Sequence, residues 1–291
     1  MVIGGSGLVG STLIESAQKY YDIHFTYNKT NFPINNIEGT YVDLTKDRTV
    51  ITSLIKTLKP DITIHTAAHP NVDYCETDHV AADLLHVDIT KDIATSCHVI
   101  GSKLIYISTD AVFPGEMYKK YTENDTPNPI NYYGKTKLQA EKIILDTSTD
   151  NVILRSAVIY GLHTRSRFTN WILETLSQNK IVDPYVDQYN TPTLVDDLIN
   201  AILQIIKLDI FGLYHATGKT CINRYDFALK LATKFGLNKN LIKSVTAKEK
   251  KQIALRPIST CLDSTKLEKL ISYDFKNIDD GIEFIYKKSK S

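Results

Sequence analysis

The chain has 291 residues, 43% of them apolar and 23% charged, enough to bury one large α/β core or two modest ones. Its 34 Lys and Arg against 33 Asp and Glu leave a net charge of +1, which removes any broad electrostatic reason to bind nucleic acid or an anionic membrane. The longest apolar runs, such as LINAILQII at 198–206, are too short to span a bilayer and no basic, apolar signal opens the chain, so a cytoplasmic protein is expected.

The first run, MVIGG, reads as a strand that enters a glycine loop, GGSGLVG, and then a helix, STLIESAQKYY. Only Met1 to Ile3 precede the loop, short for a central strand, and a natural start upstream of Met1 is the expectation. DIHFTY and GTYVDL read as the second and third strands. In DLTKDRTVITSLIKTLKP, Thr45 is placed to cap a helix that Pro60 closes, with Val50, Leu54 and Leu58 recurring every fourth residue. DITIHTAA, KLIYIST and NVILRSAVIYG supply three more strands, with helical patterns between them. Such alternation predicts an α/β fold, a doubly wound parallel sheet of Rossmann type covered by helices on both faces.

Beyond Gly161 the alternation loosens. RFTNWILETLSQNK predicts a helix with Phe168, Ile172 and Leu176 on one side, and YVDQYNTPTLVDDLINAILQIIKLD a strand, a turn at Pro192 and a helix. CINRYDFALKLATKFGLN opens a small helical lobe, and TAKEKKQIALR reads as a solvated basic loop. The expected division is a dinucleotide-binding domain over 1–160, rejoined by the segment around 185–215, and a smaller C-terminal substrate-binding lobe over most of 161–291. The four cysteines, Cys75, Cys97, Cys221 and Cys261, lack metal-ligand spacing, so no metal site is expected and thiols are favoured over disulfides.

Two constellations carry chemistry. Gly4, Gly7 and Gly10, with Leu8 and Val9 between them, lie between a strand and a helix, where a pyrophosphate needs backbone N–H groups, a positive helix end and no side chains in its way. A tight strand-to-helix turn also selects glycine; the strand–loop–helix order favours the dinucleotide. Where an acid would bind the ribose of NAD at the end of the second strand, Asn28 and Lys29 stand instead. That leans toward the 2′-phosphate of NADPH over NADH, a surface lysine being the competing reading. Asp43 and Leu44 after the third strand, and Ala67 and Ala68 after the fourth, complete the candidate cofactor wall; Asp43 could equally open the turn toward Thr45.

In YYGKTKLQAEK, Tyr133 and Lys137 are one helical turn apart, on a side continued by Ala140 and Ile144. A cation on that side needs a partner, and an ammonium beside a phenol favours the phenolate, bringing proton exchange nearer neutrality. Tyr132, three residues before Lys135, is the rival pair on the polar side, and a lysine snorkelling past a packed tyrosine is the structural alternative. Ser108 and Thr109 end an apolar strand, where an open parallel sheet places ligands. A hydroxyl there can hold a carbonyl oxygen while Tyr133 delivers a proton and a reduced nicotinamide delivers hydride.

Together GGSGLVG, STDAVF, YGKTK, DQYNTPT, HTAAHPNVDYCE and RPISTCLDSTKL resemble the extended short-chain dehydrogenase/reductases, most closely the branch that holds dTDP-4-dehydrorhamnose reductase, over essentially the whole chain. The resemblance implies Thr109, Tyr133 and Lys137 as the catalytic trio, the three glycines as the pyrophosphate loop, and a C-terminal lobe closing over a nucleotide-linked sugar whose 4-keto group is reduced. Arg165, Arg167 and Arg256 are candidate phosphate contacts, and a homodimer is the default assembly. Three departures stand out: Ala111 where the branch usually has tyrosine, His86 where asparagine is common, and a divergent GLHTRSRFTNW. His86 is expected to be structural. Dehydratases of the superfamily follow the threonine with Asp-Glu, whereas this chain has Asp110 and Ala111, so elimination is set aside. Epimerases share the trio and are disfavoured only by the closer overall match. The same branch holds the regulatory beta subunit of methionine adenosyltransferase, which implies an alternative role in binding a protein partner.

Overall fold

The computed structural model describes residues 1–28 and 37–290. Strands β1 (Val2–Ile3), β2 (Phe25–Tyr27), β3 (Gly39–Tyr41), β4 (Ile62–His65), β5 (Lys103–Thr109) and β6 (Val152–Ser156) pair in parallel. Downstream come β7 (Ile159–Tyr160), β8 (Tyr189–Asn190), β9 (Thr193–Leu194), β10 (Gly212–His215) and β11 (Ile222–Asn223). β10 joins the sheet beside β6, while β7 with β9 and β8 with β11 form two short ladders. The seven-stranded sheet has the order β3-β2-β1-β4-β5-β6-β10, so the winding reverses between β1 and β4. This is the Rossmann-type sheet, and the crevice at that reversal is where such sheets take ligands.

One face is covered by α1 (Leu8–Ala17) and the other by α2 (Thr49–Leu58). On that second side the short α3 (Val72–Thr77) and α4 (His79–Asp83) lead through a π-helical turn, Leu84–Asp88, into α5 (Ile89–Ile100) and then α6 (Tyr132–Thr147). The sheet's middle strands carry apolar runs because both faces are covered; Leu104, Ile105 and Tyr106 of β5 are all buried. α7 (Arg167–Ser177) leaves for the second lobe, whereas α8 (Val195–Lys207) returns to pack Leu198 and Ile202 against Leu13 and Ile14 of α1. α9 (Arg224–Lys234), α10 (Thr265–Ile271) and α11 (Ile278–Lys288) complete the chain. α10 adds Leu267 to the α1–α8 face, while α7, α9 and α11 share a core of Ile172, Leu176, Phe227, Leu231 and Ile282.

Local details depart from the sequence expectations. α2 starts at Thr49, whose N–H and hydroxyl both donate to Asp47 Oδ1 at 2.9 and 2.6 Å; Thr45 instead donates to Asp43. Residues four apart on a helix drift by about 40° per step, so the Val50, Leu54, Leu58 row turns off the core. Ile51 and Ile55 are fully buried, and Leu58 is 41% exposed. The cysteine expectation is corrected in part. Cys75 and Cys97 are buried thiols, but Cys221 and Cys261 form a disulfide with Cα atoms 5.5 Å apart. Cys221 precedes β11, which pairs with β8, and Thr260 N–H donates to the Tyr189 carbonyl of that same β8, so one strand brings together cysteines 40 residues apart. Residue spacing carries no trace of that meeting.

Three histidines are sealed in this framework: His65 on β4, His86 in the π turn and His215 on β10. Burial is the first cause holding each pKa at about 3; Lys137 adds to it at His65 and His86, and Arg155 at His215. All three are neutral when folded and take up protons on unfolding below the ordinary histidine value. Their stabilising contribution is therefore full above about pH 6.5 and is lost as pH falls toward 3, at up to about 4 kcal/mol per pH unit together. Urea unfolding from pH 7 to 5 is expected to show a falling midpoint, and the triple His→Gln variant a shallower fall.

Candidate active site

The glycine loop is built by close approach. Gly4 has φ +88°, and a side chain there would also collide with the backbone of Ala67 at 2.9 Å; a side chain on Gly10 would strike the Gly4 carbonyl at 2.4 Å. The three-residue spacing thus lets α1 begin hard against the end of β1, with Gly7 as its N-cap. The N-cap of α1, its positive end, borders a groove of about 250 Å³ whose walls include Gly4, Gly7, Asn28, Leu44, Ala67 and Ala68. A second groove of about 910 Å³ shares Gly7, Asn28 and Ala68 and adds Leu8, Val9 and Trp171. It in turn shares Val9, Ala68 and Arg167 with a cavity of about 430 Å³ that reaches Thr109, Tyr133 and Lys137. The three adjoining spaces make a trough along the carboxyl edge of the sheet, running from the glycine loop to Tyr133.

Not every expected cofactor residue faces the trough. Asp43 turns its Oδ1 to the N–H and hydroxyl of Thr45 at 3.1 and 2.6 Å, so it opens the turn, and Val42 and Leu44 form the wall beside it. Gly10 acts from beneath, through the fit just described. Lys29 lies outside the described residues.

At the other end, Asn131 caps α6 by accepting the Gly134 N–H at 2.8 Å and donates its amide to the Leu255 carbonyl at 2.9 Å, joining α6 to the segment of Arg256. Gly134 is needed for packing: a β-carbon there would meet the Ala111 carbonyl oxygen at 2.2 Å. α6 therefore lies directly on the end of β5. Tyr133 faces the cavity. Tyr132 donates its hydroxyl to Asp83 at 2.8 Å and stacks on His79 with ring centres 3.6 Å apart, outside the cavity. Beneath Tyr133, His86 meets the ring edge-on at 5.5 Å. Its Nε2 accepts the His69 backbone N–H at 3.0 Å, so Nδ1 holds the proton and points at the Thr136 hydroxyl, 2.8 Å away. A neutral ring with both nitrogens engaged is a support for the tyrosine, as expected of a structural histidine.

Lys137 departs from expectation. Its Nζ donates to the Ile107 carbonyl at 2.8 Å and sits 4.0 Å over the Tyr106 ring. Burial pulls its pKa down to about 7, against the pull of Glu141. Tyr133 is pushed well above the ordinary phenol value, first by burial, with the Thr109 hydroxyl the group that opposes it. The phenol is thus held protonated rather than acidified by the lysine. Both side chains line the same cavity. Thr109 donates to Asp110 Oδ1 at 3.1 Å and accepts the Ala111 N–H at 3.1 Å. Ser108 beside it is committed elsewhere, donating to Glu141. Val158, on the cavity wall, holds φ +39°, a strained conformation for a β-branched residue at a site rim.

The arginines divide. Arg165 lines the glycine-loop groove and not the Tyr133 cavity, Arg167 borders both, and Arg256 lines the cavity while paired with Asp73 at 3.0 Å. Sequence reasoning missed four further cavity residues: Asp110, Asn190, Thr260 and Arg224. Asp110 Oδ2 accepts from Asn190 at 2.6 Å and from Thr260, tying the end of β5 to both second-lobe segments. DQYNTPT and RPISTCLD contain these residues, but nothing in either string says that they converge on one carboxylate.

Among the described residues no group of His, Cys, Asp and Glu could hold a metal ion and no helix is long and apolar enough to cross a membrane. A family described as RmlD substrate binding domain matches residues 1–290. dTDP-4-dehydrorhamnose reductase of Aggregatibacter actinomycetemcomitans is 27% identical over 280 residues, 92% of each chain. Methionine adenosyltransferase 2 subunit beta of Xenopus tropicalis is 32% identical over 232 residues, 77% of this chain and 69% of that one. Among solved structures, a hypothetical dTDP-4-dehydrorhamnose reductase from Sulfolobus tokodaii superposes with TM-score 0.85 at 33% identity, covering 96% of this chain and 98% of that one.

Proposed function

Because the chain belongs to the RmlD substrate binding domain family, we propose that it is an NAD(P)H-dependent reductase of the 4-keto group of a nucleotide-linked deoxysugar, dTDP-4-dehydrorhamnose being the leading substrate. The observation that carries this reading is the convergence of Thr109, Tyr133 and Lys137 on one cavity that opens into the glycine-loop trough. When bound there, the reduced nicotinamide supplies the hydride. The groove residues Gly4, Gly7, Leu8, Val9, Asn28, Leu44, Ala67 and Ala68 would hold it, with Arg165 placed for its pyrophosphate. The protein's own part is proton handling. Thr109 would turn its hydroxyl from Asp110 to the carbonyl oxygen, and Tyr133, kept protonated by burial, releases its proton to that oxygen as negative charge develops. Lys137, anchored at the Ile107 carbonyl and lining the same cavity, would steady the resulting phenolate.

The test is consumption of NADPH on mixing the purified protein with dTDP-4-dehydrorhamnose, followed by absorbance of the reduced nicotinamide. Turnover is expected, with NADPH preferred over NADH because no acid follows β2 to receive free ribose hydroxyls. An NADH preference would overturn the cofactor assignment alone. Absence of turnover, with co-purification of a methionine adenosyltransferase, would replace the enzyme reading by a role as a subunit bound to that partner, in line with the methionine adenosyltransferase 2 subunit beta relatives.

A further inference from the structure

Arg224 is the cavity cation that the reaction above does not use. It opens α9, where Asn223 caps the helix by accepting the Asp226 N–H at 2.8 Å, and it lines the same cavity as Tyr133. Its Nε is buried without an acceptor, and among the described residues no carboxylate pairs with it. The guanidinium lies 5.6 Å from the centre of the Phe168 ring, which fixes its plane from one side. Asp110 is the nearby carboxylate whose charge acts on it, but the hydrogen bonds Asp110 accepts come from Thr109, Asn190 and Thr260 and not from Arg224. Arg256, by contrast, already has Asp73 at 3.0 Å and the Ala254 carbonyl at 2.9 Å. A buried guanidinium lacking acceptors is costly, and its planar fork suits a group offering two oxygens.

We propose that Arg224 is the anion anchor of the substrate cavity, binding through its fork an oxyanion carried by the substrate, foremost the phosphate on the anomeric carbon. The inference rests on the nucleotide-sugar reading above. On a 4-keto sugar that phosphate lies across one ring from the reacting carbon, and Arg224 shares one cavity with Thr109 and Tyr133. A sugar carboxylate offers the same two-oxygen chemistry, and the measurements separate the two.

Affinities of dTDP, UDP and GDP, and of UDP-glucose against UDP-glucuronic acid, would be measured by calorimetry for the wild type, Arg224→Gln and Arg224→Lys. NADPH affinity, read from quenching of Trp171, the chain's single tryptophan and a wall of the cofactor groove, together with the thermal midpoint, reports whether each variant is folded. Arg224→Gln is expected to bind the preferred nucleoside diphosphate about 10- to 150-fold more weakly, with Arg224→Lys between and NADPH unchanged. A loss confined to UDP-glucuronic acid would keep the anchor and move its anion to the sugar. Equal affinities for every ligand in wild type and folded Arg224→Gln overturn the anchor while leaving the reductase reading intact. Wild-type preference for UDP or GDP, with the Arg224 effect present, supports the anchor and overturns only the choice of dTDP. A wild type that binds none of them overturns both.

Discussion

Exchanging Tyr133 for phenylalanine is expected to lower turnover of dTDP-4-dehydrorhamnose by at least about a hundredfold, or about 2.7 kcal/mol of barrier, while leaving NADPH affinity within about twofold. The phenyl ring keeps the edge-on contact with His86 and the packing beneath it, so the fold and the cofactor trough should persist. Only the proton source disappears. Burial keeps that hydroxyl protonated, which suits a donor whose proton leaves only as charge appears on the carbonyl oxygen. Steady-state rates with Trp171 quenching as the control decide it. A Tyr133→Phe rate within tenfold of wild type would show that another group delivers the proton.

The largest expected effect on stability belongs to Glu141, one turn beyond Lys137 on α6. Its carboxylate receives Arg155 Nη2 at 2.7 Å and Nε at 3.0 Å, the Ser108 hydroxyl donates to the same group, and Glu141 and Arg155 are only 1% and 3% exposed. This brace locks α6, which carries Tyr133 and Lys137, to β5 and β6. Glu141→Gln should cost about 3–5 kcal/mol, since it strands a buried guanidinium rather than merely deleting an attraction. Glu141→Gln combined with Arg155→Met should regain most of that loss. Urea denaturation of the three proteins is the measurement, and additive losses in the double variant would refute the coupling. Lys137 is expected to respond as well: Glu141 is the carboxylate that favours its charged form, so a folded Glu141→Gln protein should lose activity at lower pH than wild type.

Periodicity and punctuation made much of the first lobe readable. The glycine spacing, the apolar runs of β4 to β6 and the Asn131 cap are local features, each governed by clearance, coverage or an N–H within a few residues, and the sheet follows from their alternation. Tyr133 was separable from Tyr132 because helix geometry sends neighbouring side chains in different directions. What spacing could not supply was the electrostatic outcome. A lysine one turn from a phenol suggests acidification, yet Lys137 reaches past it to the Ile107 carbonyl and the Tyr106 ring, and desolvation dominates both groups. For Asp43, equally open in the sequence between cofactor and turn, the structure adds a turn contact with Thr45.

By itself, then, the amino-acid order determined where most strands and helices of the first lobe fall, where the backbone must be bare, and which phenol, ammonium and hydroxyl share a sheet edge, because those depend on neighbours along the chain. Only the tertiary structure decided the Cys221–Cys261 pairing, the closure of Asp110 by Asn190 and Thr260, and the placing of Arg224 Nε without a hydrogen-bond acceptor. Each of these joins residues dozens of positions apart, and burial sets what they do; neither the meeting nor the loss of water is written in any local pattern.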